Sequence, residues 1–189
     1  GDVYNTAVYL SRFGRQVSFV SAVGRGDPFS QAILDRLAME GVNSDLVQQV
    51  EGRLPGLYAI ERDADGERRF FYWREQSPFR QMFDAEDLSA IRGVLVEADL
   101  IFLSGITLAV IGETGRRNLG SMLAEAALKG VKVAFDPNYR PRLWTSPQAA
   151  RRAVDDLLPH CALISASMPD LEAMYETTDL SGPADWARG

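Results

Sequence analysis

From about residue 99 to residue 175 the chain repeats one pattern, a short apolar run followed by a segment of helical period, with few residues between them. Residues 99–104 (DLIFLS), 131–136 (VKVAFD) and 161–165 (CALIS) have the length and composition of buried strands. Between them, residues 114–129 place Leu119, Met122, Leu123 and Ala126 on one helical face, with Gly130 as the stop. Ser146-Pro147 opens another helix carrying Val154, Leu157 and Leu158, and residues 169–175 form a last short one. Strands joined through helices pair in parallel, because the helix returns the chain to the edge from which the next strand starts. The pattern therefore predicts an α/β fold, a mostly parallel central sheet with helices on its faces.

The N-terminal part carries the same signals more sparsely. Val3, Ala7 and Leu10 share one side of a first helix ended by Gly14, and residues 17–23 (VSFVSAV) form a strand closed by Gly24. Asp27 is placed to cap a helix with Pro28 at its first position, and Phe29, Ile33, Leu34 and Leu37 fall on one face before Gly41. Asp84 is the expected cap of a helix bearing Leu88, Ile91 and Leu95.

Residues 56–62 (GLYAIER) and 67–74 (ERRFFYWR) differ in kind, being strand-like arms around Asp63-Ala64-Asp65-Gly66. A three-residue loop 64–66 with Gly66 left-handed sets Tyr58 opposite Tyr72. Alternation then places Tyr58, Tyr72 and Arg74 on one face, and Phe71 and Trp73 on the other. A hairpin this apolar needs a cover. The expected organisation is an α/β core from residues 1–42 and 80–189, with residues 43–79 inserted as a small β-structured flap.

Composition narrows the chemistry. Lys+Arg number 20 and Asp+Glu 26, a net charge of −6, which lacks the basic footprint of general nucleic-acid binding. One histidine, His160, excludes a multi-histidine metal site, and one cysteine, Cys161, excludes an internal disulfide and suits a reducing, cytoplasmic setting. Neither a membrane span nor a secretory leader is read in the sequence. With hydrophobic residues at 46%, there is material for a buried core.

Three places offer chemistry. Gly1, Asp2, Val3, Tyr4 and Asn5 lie at a helix N-terminus, where free N–H groups and polar side chains can grip hydroxyls or simply cap the helix. On the hairpin, two phenols and the Arg74 guanidinium suit a polyhydroxylated acid, Arg74 taking its carboxylate in a bidentate pair; the alternative is a packed hairpin with solvated arginines. Asp136-Pro137-Asn138-Tyr139-Arg140 follows a central strand at its carboxyl end, where open α/β sheets bind ligands. Asp136 could help hold magnesium and Asn138 and Arg140 could meet phosphate oxygens, although Asn, Pro and Asp are also turn residues.

Taken together these residues resemble a known family. Asn5-x-Ala7, six residues to Gly14 and nine more to Gly24 is similar to the N-terminal signature of the ribokinase/PfkB carbohydrate kinases. DPNYR (136–140), Tyr58 and Tyr72-Trp73-Arg74 resemble the branch of that family acting on 2-keto-3-deoxygluconate. The resemblance implies a ribokinase-like three-layer sandwich in which the hairpin is the β-lid, and a chain incomplete at both ends. It implies that Gly1, Asp2, Val3, Tyr4, Asn5, Tyr58, Tyr72, Trp73, Arg74 and Arg140 contact a sugar acid. It further implies that Asn138, Tyr139 and Arg140 approach ATP, delivered with Mg2+. The expected partners are sugar acid, ATP and a second copy meeting it through the lid, with no nucleic acid and no membrane. The family's Gly-Ala-Gly-Asp stretch, source of its catalytic base, is not found in the sequence, so no catalytic residue and no metal ligand are assigned. The 189-residue chain alone is expected to be inactive. Pro169 stands where the family's Asn-x-x-Glu motif has asparagine, with Glu172 at its acidic position. Alternatives are a fructokinase, a ribokinase or a deoxy-keto-inositol-acid kinase of the same family, or a non-catalytic sugar-acid-binding domain.

Overall fold

A computed structural model describes residues 1–63 and 65–175. Ala64 of the expected hairpin loop and residues 176–189 of the expected core lie outside the described residues. By contacts the chain divides into two units, Gly1 with Val3–Met82, and Asp2 with the residues from Phe83 onward.

The first unit takes the residues from Val3 onward of α1 (Asp2–Arg12), whose buried residues are Ala7 and Val8. That helix is followed by β1 (Ser21–Gly24), α2 (Pro28–Met39) and β2 (Val47–Val50). β1 and β2 pair in parallel from Ser21↔Val47 to Gly24↔Val50 across the α2 crossover. The Asp27 carboxylate accepts from the N–H groups of Phe29 (3.0 Å) and Ser30 (2.8 Å), so the expected cap and Pro28 start are present. Leu37 reaches the core with Ala7, Val23, Val42 and Val47, and Ile33 and Leu34 pack against it. Phe29 does not; it is exposed, and Ser30 beside it takes the buried position in the first helical turn. The expected 17–23 strand shortens to β1, with only Ser18 bridged to Asn43 before it. β2 was not anticipated, since VQQV alternates too weakly to announce itself.

β3 (Leu57–Arg62) and β4 (Arg68–Trp73) form an antiparallel hairpin, with Tyr58 opposite Tyr72. Asp63 and Glu67 close the loop: Asp63 N–H donates to the Glu67 carbonyl at 3.1 Å, and the Asp63 carboxylate accepts from Glu67 N–H at 2.9 Å. Gly66 has φ +85°, a conformation only glycine adopts freely. Every residue of both strands is exposed. A 3-10 turn, Pro78–Gln81, ends the unit.

The second unit contains α3 (Ser89–Leu95), β5 (Leu100–Ser104), α4 (Gly105–Val110), α5 (Gly112–Leu128), β6 (Lys132–Asp136), α6 (Pro147–Asp155), β7 (Leu163–Ile164) and α7 (Met168–Tyr175). Its sheet runs β5-β6-β7, all parallel. Leu119, Met122, Leu123 and Ala126 of α5 are buried as their spacing requires, and Val133 and Phe135 of β6 are fully buried. Ser146 caps α6 by accepting from Ala149 N–H at 3.1 Å. Asp84 does not cap α3; Asp87, nearer its start, accepts from Ser89 N–H at 2.9 Å. The parallel strands thus fall into a two-stranded sheet in one unit and a three-stranded sheet in the other. Among the described residues, no helix is long and apolar enough to cross a membrane.

Candidate functional site

In the second unit the register pairs Ser104 with Asp136 at the carboxyl ends of β5 and β6. Beyond that pair the two chains stay pressed together. A Cβ on Gly105 would lie 1.9 Å from the Pro137 carbonyl oxygen, so only glycine admits this approach. Ser104, fully buried, accepts from Ile106 N–H at 3.3 Å and starts α4. The loop after β6 is therefore held against the first turn of the next helix.

Asn138 is the one described non-glycine residue with positive φ, at 36°. Two hydrogen bonds secure it. Its N–H donates to the Asp136 carboxylate at 3.0 Å, and its side-chain amide donates to the Asp2 carboxylate at 2.5 Å. Asparagine tolerates this conformation better than most residues. Tyr139 is buried beneath the loop, while Arg140 is exposed and donates to the Tyr139 carbonyl at 3.0 Å. Burial pushes the Asp136 carboxyl above its ordinary range, and the nearby Asp2 and Asp170 carboxylates push it the same way; Arg140 opposes them. No three His, Cys, Asp or Glu side chains converge to hold a metal among the described residues. Asp136 thus has carboxylate neighbours in Asp2 and Asp170.

In the first unit the hairpin presents three rings on one face. Tyr58 and Tyr72 have centroids 6.2 Å apart, Tyr58 and Phe70 6.3 Å, and Phe70 and Tyr72 6.1 Å at an interplanar angle of 9°. The Arg74 guanidinium lies over the Tyr72 ring, 4.1 Å from its centroid. Gly56 lies beside Arg74, and a Cβ there would meet the Arg74 Cβ and Cγ at 3.5 Å, an ordinary contact. Tyr58, Tyr72 and Arg74 thus lie together on one face, the rings ending in a cation. Trp73 pairs with Leu57, and alternation turns it to the other face, away from these rings.

Gly1 and Asn5 are exposed, and Asn5 N–H donates to the Gly1 carbonyl at 3.0 Å as the first bond of α1. Val3 is half-buried. Tyr4 packs edge-on against Phe19 at 6.2 Å, its hydroxyl buried without a partner. Asp2 is the residue of this group that reaches the loop after β6. Glu172 is exposed on α7. Two contributors escaped the sequence reading: Gly105 and Phe70. A glycine directly after a strand, inside an apolar run, was the available sign for Gly105.

Residues 1–187 match the pattern of the pfkB family carbohydrate kinase. The chain is 40% identical over 179 residues to the 2-dehydro-3-deoxygluconokinase of Dickeya dadantii, an alignment covering 93% of this chain and 57% of that protein. The PfkB protein from Polaromonas sp. JS666 superposes with a TM-score of 0.86 at 26% identity, over 97% of this chain and 60% of that one. The 2-dehydro-3-deoxygluconokinase of Thermotoga maritima does so with 0.78 at 27%, over 92% and 52%. The chain therefore spans less than two thirds of the length of each of these proteins.

Proposed function

Because the chain belongs to the pfkB family of carbohydrate kinases and shares its ribokinase-like fold, we propose that it forms the sugar-acid-binding part of a kinase. This kinase transfers the γ-phosphoryl group of MgATP to 2-keto-3-deoxygluconate, giving the 6-phospho product. The observation that carries the substrate is the Arg74 guanidinium stacked over Tyr72 beside Tyr58, an arrangement that leaves its N–H fork free for a carboxylate. The 40% identity to a 2-dehydro-3-deoxygluconokinase supports the same choice.

In this reading residues 43–79 act as a lid on a core of residues 1–42 and 80–189. Gly1, Asp2, Val3, Tyr4 and Asn5 meet the sugar, and Tyr58, Tyr72 and Arg74 meet it from the lid; Trp73, expected among them, is left to the opposite face of the hairpin. Arg140 lies between acceptor and donor, with Asn138 and Tyr139 on the ATP side. Phosphoryl transfer asks a protein chiefly to align two reactants and neutralise charge, and an arginine at the loop after β6 serves both needs. A closing lid would exclude water and prevent wasteful ATP hydrolysis. The single cysteine favours a reducing cytoplasm, and the aromatic face bearing Phe71 and Trp73 suits pairing with a second copy. A monomeric mass by light scattering of the intact protein would reject that pairing.

The decisive experiment presents the intact protein with MgATP and a panel of acidic and neutral sugars. Turnover of the keto-acid, lost far more on Arg74→Ala than turnover of any neutral sugar, is expected, because the substitution leaves a carboxylate unpaired. Phosphorylation of fructose or ribose but not of the keto-acid would reject the substrate. ATP-independent binding without turnover would favour a non-catalytic sugar-acid-binding role.

A further inference from the structure

Arg74 is half-buried just after β4, and its guanidinium has to be kept in place. Arginine carries large rotamer freedom, and a carboxylate gains most from one already oriented. Arg74 is oriented by stacking on Tyr72, 4.1 Å from the ring centroid. Tyr72 is itself exposed on a two-stranded hairpin with no cover, so its ring needs its own support. That support comes from the same face. Phe70, two residues earlier, lies nearly parallel to it at 9° with centroids 6.1 Å apart, and also touches Tyr58 diagonally across the strands at 6.3 Å.

We infer that Phe70 is a positioning residue for acidic-substrate recognition. It buttresses the Tyr72 ring, and through that ring it holds the Arg74 guanidinium ready for the carboxylate. Phe70 lacks a polar atom and contributes no hydrogen bond of its own; its effect travels through the stack Phe70, Tyr72, Arg74. The inference rests on the functional reading above and adds to it a residue whose type, an aromatic ring, sets the preference for an acid.

The test uses the intact protein, its KM and kcat for 2-keto-3-deoxygluconate, and a double-mutant cycle. Phe70→Leu should raise KM about 3- to 10-fold, the range of an aromatic pair's contribution, and leave kcat unchanged. Phe70→Tyr, which keeps the ring, should keep KM. In an Arg74→Met background, Phe70→Leu should have no further effect, because the group it orients is gone. A melting temperature equal to the parent's certifies the fold; Phe70→Met replaces Phe70→Leu in the cycle if that variant does not hold it. An unchanged KM, or the same KM increase with and without the guanidinium, would overturn the inference while leaving the function standing. Absence of keto-acid turnover in the unsubstituted protein would instead overturn the functional reading, and the inference with it.

Discussion

Gly105→Ala concentrates the structural argument into one methyl group. That methyl would sit 1.9 Å from the Pro137 carbonyl oxygen, 2.9 Å from its carbon and 3.3 Å from its Cα. A relaxed carbon–oxygen contact needs about 3.3 Å, so the two chains must separate by about 1.4 Å. Neither can yield cheaply. Both are backbone, and the residues just before them, Ser104 and Asp136, are paired in the sheet. The cost belongs at the upper end of overpacking, about 3 kcal/mol. With a urea slope of about 2 kcal/mol per molar, the unfolding midpoint should fall by about 1.5 M. The same substitution at Gly120, inside α5 with nothing within 4 Å of the new Cβ, should act oppositely. Alanine there gains helix propensity of about 0.8 kcal/mol, raising the midpoint by about 0.4 M. Urea titration of both variants of the intact protein, followed by far-UV circular dichroism, makes the comparison. On the proposed function, Gly105→Ala should also lower phosphoryl transfer, since the loop it displaces carries Asn138 and Arg140. An unchanged midpoint for Gly105→Ala would refute the packing of this loop against α4, and a loss for Gly120→Ala would refute the open space at that position of α5.

Asp136→Asn should stabilise the protein at neutral pH. A carboxyl whose folded pKa is raised by burial loses stability as pH rises from its unfolded value through the folded one, and a neutral amide removes that loss. The gain should vanish below about pH 4, as the parent's aspartate is protonated in both states; denaturant titrations across pH read it. Glu40→Gln should do the reverse. Arg12 donates to Glu40 at 2.7 and 2.8 Å, and this hydrogen-bonded pair, helped by Arg36, holds the Glu40 carboxyl below its ordinary range. Its stabilisation is complete above the unfolded value of about 4.3 and fades as pH falls through the folded one, so parent and variant should converge in acid. Ser146→Ala removes the cap of α6 and should cost about 1 kcal/mol, seen as a melting temperature lower by about 2–4 °C.

What the sequence determined by itself is whatever depends on neighbours a few residues apart. The Asp27-Pro28 and Ser146-Pro147 starts, the buried stripe of α5 and the left-handed Gly66 of the hairpin turn were legible because capping, helical period and turn geometry act within one or two turns of chain. The hairpin register followed from that turn, and with it the meeting of Tyr58, Tyr72 and Arg74. Local rules also failed in places: Asp84 does not cap α3, and Phe29, on the predicted inner face, stays outside. Tertiary structure alone decided the pairing of β2 with β1, the need for glycine at 105, and the left-handed Asn138 tied to a carboxylate 136 positions away. Those depend on backbones brought together from distant parts of the chain, and a close approach leaves no period or cap in the residues that make it.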